Sequence, residues 1–223
     1  MNLSLNPWAS LPKTPPFVLP QDAGVIEKFN EHAPPNKRYD LSLMPEPFFG
    51  NPLAPVIALA LNPGWSPSDA DVHAAEKFRA QSRDSLTHRL RPHPFLHLQP
   101  DAVTPGAQWW NRIARKLIDE IGIERMSAGL MCVQYFPYHS VEYKPTGELV
   151  PSQAYGFALV RAAMERGADV IIMRSGRQWR LAVPALASYA RIHHVINPRN
   201  PTLSPGNLAA SFDVLLKRLR EAV

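Results

Sequence analysis

Residues 56–65 read VIALALNPGW, an apolar run that breaks off at Asn62-Pro63-Gly64. Apolar residues without alternation are the pattern of a strand buried on both faces. An amide, a rigid turn and a glycine directly after such a strand mark the place where an open α/β sheet presents a site, because ligands bind outside the carboxyl ends of its strands. Outward from this first strand (56–61), similar runs occur at 130–134, 169–173 and 192–196. Between them the apolar spacing is helical. Trp110, Ile113, Leu117 and Ile121 share one face of a segment that starts near Gln108 and is closed by Gly122. Further helices are expected over 70–81, where Ser68-Asp69 offer a cap, over 151–166, in a short piece at 179–189, and over 207–221. Strand and helix alternate, which predicts an α/β three-layer sandwich with a central four-stranded parallel sheet flanked by helices.

A chain of 223 residues suits one domain. Residues 1–55 hold eleven of the 24 prolines, which excludes long helices there except around 23–32. Residues 1–45 therefore read as a proline-rich arm packed on the core, with Trp8, Phe17 and Val18 as anchors. With 45% hydrophobic and 19% charged residues the chain is globular, not disordered. No apolar run approaches the roughly 20 residues that a bilayer requires, and no signal-peptide pattern is present, so no membrane partner and a cytoplasmic location are expected. The single cysteine, Cys132, excludes an intrachain disulfide, a thiolate zinc cage and a four-cysteine iron–sulfur cluster. No His/Cys/carboxylate set shows metal-ligand spacing, so neither a metal nor another cofactor is expected. The net charge of +5 suits a polyanionic partner.

In a parallel sheet the residues after each strand gather along one edge. Here they are 62–64, 134–140, 174–177 and 197–204, a mixture of amides, hydroxyls, aromatics, glycines and arginines. That set suits a planar polar ligand attached to a phosphate chain. Trp65, Tyr135, Phe136 and Tyr138 are able to stack on a base or to pack in the core; Trp65 and Phe136 are expected in the pocket, beside Gly64. His139 is a base or phosphate donor, or an exposed loop residue. Arg83, Arg89 and Arg91, interleaved with His88 and His93, form a basic stretch that faces either DNA or solvent.

Asn62-Pro63-Gly64 after the first strand, with Asn197-Pro198-Arg199-Asn200-Pro201 after the fourth, resembles the two signature motifs of the uracil-DNA glycosylase superfamily. The nearest branches are the mismatch-specific and the single-strand-selective monofunctional ones. The first motif reads G-x-N-P-G there. The second begins N-P-S in one branch and reads H-P-S-P-R-N-P in the other, and this chain looks like a blend of the two. The resemblance spans roughly residues 45–208. It implies that Asn62 positions the water that attacks the sugar and that Asn197 completes the catalytic pair. It also implies a wedge loop of Arg199, Asn200, Pro201, Thr202 and Leu203, with Ser204 and Gly206 close to a phosphate. The Arg174 to Arg177 turn resembles a loop that supports the pocket, and it is placed to touch phosphates as well.

Gln134 stands where the family has an asparagine that reads the pyrimidine edge. An amide one methylene longer shifts its polar atoms by about 1.5 Å, which leaves a 5-substituted cytosine open beside uracil. Asp69, Asp71 and His73 either assist the water or begin a solvated helix. No lysine near the motifs is placed to form a Schiff base. The expectation is thus a monomeric, monofunctional DNA glycosylase, acting in repair or in defence against phages with modified DNA. The alternative is a catalytically inactive nucleic-acid or nucleotide binding module on the same fold.

Overall fold

The computed structural model of the chain describes residues 6–221. Its centre is a five-stranded sheet of β1 (Phe48–Gly50), β2 (Val56–Ala60), β3 (Leu130–Gln134), β4 (Asp169–Ile172) and β5 (Ile192–His194), in the order β1-β3-β2-β4-β5. The four strands expected from sequence are parallel. β1 corrects the expectation of a purely parallel, four-stranded sheet: it runs antiparallel to β3, with Phe49 opposite Cys132, so the sheet is mixed. A three-residue strand is too short for periodicity to reveal. Gly50 suits its last position because φ is +106° there and an added Cβ would stand 2.5 Å from the Leu130 carbonyl oxygen.

Nine α-helices occur among the described residues: α1 (Pro20–His32), α2 (Asp69–Ala74), α3 (Glu76–Leu86), α4 (Pro105–Ile121), α5 (Ile123–Gly129), α6 (Gln153–Glu165), α7 (Gly176–Ala182), α8 (Pro205–Leu208) and α9 (Ser211–Arg220). Alternation along the strands feeds two apolar cores. Ile57, Leu59, Met131, Val133, Val170 and Ile172 join Ile26 of α1, Val160 of α6 and Trp179 of α7. Val56, Ala58, Leu130, Cys132 and Ile171 join Trp110, Ile113 and Leu117 of α4, Met126 of α5, and Phe212 and Leu215 of α9. Both faces of the sheet are covered, which is why its strands carry no polar alternation.

Local chemistry sets the helix ends. Thr104 caps α4 through its side chain, which accepts the Ala107 N–H at 3.1 Å, and Gly122 at φ +81° ends it. Two long helices expected from sequence are interrupted. The 70–81 segment divides at Ala75, whose extended backbone separates α2 from α3. The 207–221 segment divides at Ala209, at φ +48°. Ser68 makes no side-chain cap; Asp69 Oδ2 turns back and accepts the Ser66 N–H at 2.6 Å.

The proline-rich arm is anchored by buried Trp8, Phe17 and Val18, and by Asp22, whose Oδ2 accepts the Tyr138 hydroxyl at 2.7 Å. It then runs beside the segment after β3, with Asp40 N–H on the His139 carbonyl and Glu46 N–H on the Pro137 carbonyl, each at 2.9 Å. From β2 the chain passes through α2 to α5 into β3 on one side, and later through α6 into β4 on the other. The carboxyl end of β2 is therefore a topological switch point, the usual place for a ligand crevice. Among the described residues no helix is long and apolar enough to cross a membrane.

Candidate functional site

A cleft of about 460 Å³ opens at that switch point. It is bounded by the turn after β2, the end of β3 and the segment beyond it, the first residues after β4, α2, the start of α4, and Glu46, just after the arm. Pairing of β2 with β3 continues one step past the strands, through Tyr135 N–H on the Ala60 carbonyl and Phe136 N–H on the Leu61 carbonyl. This continuation sets the Asn62 turn against His139 and Ser140. Trp65, Trp109, Trp110 and Tyr143 supply aromatic walls. Trp65 is 40% exposed and donates its Nε1–H to Asp40 Oδ2 at 3.1 Å, so its ring is held yet accessible.

The Asn62 side chain lies at the cleft with a determined orientation. Its Nδ2 donates to the Pro63 carbonyl at 2.9 Å and to Ser140 Oγ at 3.0 Å. A carbonyl only accepts, so the atom facing it is the nitrogen, and Oδ1 is left without a protein partner among the described residues. Gln134 is also on the cleft, and its buried Oε1 has no partner among the described residues. A buried polar atom without a partner costs about 1–3 kcal/mol, which a ligand that pairs with the amide would recover. Asp69, which also lines the cleft, has its carboxyl raised above the ordinary aspartate range by burial, against the opposing pull of the Ser66 N–H. Asp71 is exposed, outside the cleft.

Beneath these groups is a buried polar floor that spacing in sequence does not reveal. His139 places Nδ1 2.6 Å from the Gly64 carbonyl and Nε2 3.0 Å from the Met44 carbonyl. Both ring nitrogens are thus engaged by main-chain carbonyls. His73 Nδ1 accepts the Met44 N–H at 2.8 Å, and His97 Nε2 pairs with Glu46 Oε2 at 3.0 Å. Burial alone would raise the Glu46 carboxyl; His97, with His139 and His73, outweighs it and holds the group down to about 2. Burial, reinforced by His139, lowers His73 to about 3. Glu46, His73 and His139 each bring one ligand-type atom within 4.8 Å of the others, a grouping the sequence reading did not find. Both His139 nitrogens and His73 Nδ1 are committed to main-chain partners, so the set is built as a hydrogen-bonded network and not as three lone pairs converging on an ion.

Glu46, His97 and Met44 belong to segments distant from the motifs. The available signal was burial: Glu46 is the one charged residue of LMPEPFFG (43–50), and His97 sits inside FLHL (95–98).

The remaining candidates are divided between the core, the cleft rim and the surface. Phe136 is fully buried and stacked on Tyr39 at 4.3 Å, in the core and away from the cleft, which corrects its placement in a base pocket. Leu203 is also fully buried, with its N–H on the Ile113 carbonyl; it anchors the 197–204 loop and is not a wedge tip. Asn197 Oδ1 accepts the N–H groups of Arg199 and Asn200 at 3.1 and 3.3 Å, closing a turn, and of its loop only Pro201 lines the cleft. Ser204 precedes the four-residue α8, with its Oγ 3.2 Å from Thr202 Oγ. Arg174 lines the cleft and braces the loop by donating to the Pro198 and Arg199 carbonyls, each at 3.2 Å, while Arg112 reaches Asn200 Oδ1 at 3.4 Å. Arg177, Arg199 and Asn200 are exposed. Arg89 and Arg91 pair with Asp84, and Arg83 donates to the Leu11 and Pro12 carbonyls, so this basic stretch is mostly occupied internally.

Comparison of the chain with protein-family models, curated proteins and solved structures found no match in any of the three.

Proposed function

We propose that this protein is a monofunctional DNA glycosylase of the uracil-DNA glycosylase type, hydrolysing the C1′–N bond of a flipped-out pyrimidine. The observation that carries the reading is the fixed Asn62 amide: both of its donor bonds go to the protein, and its oxygen is free on the cleft. Such an oxygen suits the reception of a water proton. Hydrolysis builds positive charge on the sugar and negative charge on the base, so a placed water and polar partners for the base are what it requires. The water oxygen bonds to C1′ as the C1′–N bond breaks and the electron pair leaves with the base. The water proton passes to Asp69, whose raised carboxyl makes it a better acceptor than an ordinary aspartate.

Three further features support this reading. Gln134 Oε1 offers a buried acceptor to a base N–H. Trp65 and Trp109 offer ring faces, and 460 Å³ leaves room for a substituent at the 5-position of a pyrimidine. Arg112 and Arg174 bond to the 197–201 loop, which carries Arg199, and with exposed Arg177 they suit DNA phosphates. A role in repair or in defence against phages with modified DNA is the biological form of the proposal.

The test is incubation with single-stranded and duplex oligonucleotides carrying uracil, mismatched uracil, cytosine, 5-methylcytosine or 5-hydroxymethylcytosine, followed by alkali. Strand cleavage after alkali, and none before it, is expected for at least one base. Tight binding with no abasic site on any substrate would point to a binding module instead.

A further inference from the structure

The inside of the cleft is aromatic and acidic. Trp65 and Trp109 line it together with the carboxylates of Glu46 and Asp69, while Glu142, also on the lining, is paired with Lys37 at 3.2 Å. Arg174 is the one Lys or Arg on the lining, and its guanidinium is turned to the Pro198 and Arg199 carbonyls, each at 3.2 Å. His73 adds no charge at neutral pH, since burial lowers its ring to about 3. Glu46 gives Oε2 to His97 Nε2 at 3.0 Å, and its Oε1 has no hydrogen-bond partner among the described residues. The Gln134 N–H bonds to the Pro47 carbonyl at 2.8 Å, so the Gln134 amide and the Glu46 carboxylate reach the cleft from neighbouring backbone. Trp65 donates its Nε1–H to Asp40 Oδ2, and against burial Ser42 and this N–H hold the Asp40 carboxyl below its ordinary range. A carboxylate on the indole N–H makes the accessible ring face richer in electrons.

Resting on the base-release reading above, we propose that the cleft takes a positively charged, N-alkylated base as a further class of substrate, with 7-methylguanine as the best match. A cation over the face of a tryptophan is attracted by the ring's electrons, and the attraction grows as water is excluded. Glu46 supplies a counter-charge that a neutral base does not exploit. 7-Methylguanine also presents two adjacent donors, N1–H and the 2-amino group, which suit Glu46 Oε1 and the Gln134 amide oxygen. The cleft of about 460 Å³ has room for a purine. In the reaction the oxygen of the water placed by Asn62 bonds to C1′ as the C1′–N9 bond breaks. The electron pair enters the ring and cancels its positive charge, so the base leaves neutral, and the water proton passes to Asp69. Uracil and cytosine are uncharged at neutral pH until the bond breaks, and they draw less from the aromatic and acidic groups.

Binding and release are measured separately. Titration calorimetry in mildly acidic buffer, where the methylated ring keeps its charge, compares 7-methylguanosine 5′-monophosphate with guanosine 5′-monophosphate. The methylated nucleotide should bind about tenfold tighter, and Glu46→Gln and Trp65→Leu should each cut that preference to about threefold or less. Trp65 is 40% exposed, so its variant tests the proposal without the folding demand placed on buried Glu46. Equal affinity of wild type for the two nucleotides, or a preference unchanged in Trp65→Leu, would overturn the proposal. Release is followed from duplex oligonucleotides carrying 7-methylguanine, uracil or 5-hydroxymethylcytosine, with Asn62→Ala as the measure of spontaneous loss. Wild type should release 7-methylguanine at least about tenfold faster than Asn62→Ala. Release of a pyrimidine but not of 7-methylguanine would overturn this substrate class alone. No release from any oligonucleotide, with the methylated nucleotide still preferred, would overturn the base-release reading, and excision with it, while the preference for a cationic base stands.

Discussion

Asn62 and Asn197 each precede a proline just beyond a parallel strand, yet their side chains are put to opposite uses. Asn62 spends its nitrogen on the protein and keeps its oxygen for the cleft. Asn197 spends its oxygen on the N–H groups of Arg199 and Asn200, and its own N–H on Asn207 Oδ1 at 2.7 Å. An Asn-Pro pair therefore does not identify a catalytic amide; the remaining valence of the side chain does. The difference makes the proposed site unequal: chemistry at the 62 turn, and architecture plus DNA contact at the 197–204 loop.

The sharpest way to break this contrast is Asn62→Ala, which should slow base release by about 10²–10³-fold in a single-turnover alkaline-cleavage assay. Acid should then act on the cleft side of the molecule and spare the loop. Glu46 and His73 both have folded values below their ordinary 4.5 and 6.5, so the unfolded chain binds the extra protons. Their contribution to stability is complete above about pH 6.5. It is lost as pH falls toward 3 for His73 and toward 2 for Glu46. Thermal midpoints recorded from pH 7.5 to 3 should fall accordingly, and a midpoint flat across that range would contradict the buried network.

Gln134→Leu comes next. Removing an orphaned buried acceptor should leave urea stability unchanged or slightly higher, while base release drops by about tenfold or more. Asn197→Ala deletes two main-chain hydrogen bonds and should cost about 1–2 kcal/mol in urea unfolding, with release at saturating DNA within a few-fold of wild type. The smallest effect belongs to exposed Arg199: Arg199→Ala should weaken DNA binding by a few-fold and reduce the salt slope of log K by about one.

The parallel strands were legible because two-sided burial leaves an unbroken apolar run, and α4 was legible because its buried face repeats at helical spacing. β1 was not, since its three residues acquire strand character only from pairing with β3. The turn after β2 was legible as a site for a topological reason, the strand-end position. The polar floor was hidden because Glu46 and His97 meet across 51 positions of sequence, and the contact is made by the path of the arm, which composition describes only as proline-rich. Phe136 and Trp65 were equivalent as aromatic letters. Backbone pairing of Phe136 with Leu61 turns its ring into the core, whereas Trp65 stands beyond the turn and faces the opening. The use of Asn197 was undecidable from sequence, because a side chain that closes its own turn and one that reaches a ligand share the same Asn-Pro spelling.

The most direct test sets wild type, Asn62→Ala and Asn197→Ala side by side on one substrate, with DNA affinity and single-turnover release measured in the same buffer. The account predicts that Asn62→Ala binds DNA within about twofold of wild type yet releases almost no base, while Asn197→Ala releases base at nearly the wild-type rate once DNA is saturating. Full activity in Asn62→Ala, or an equal loss in both variants, would contradict it.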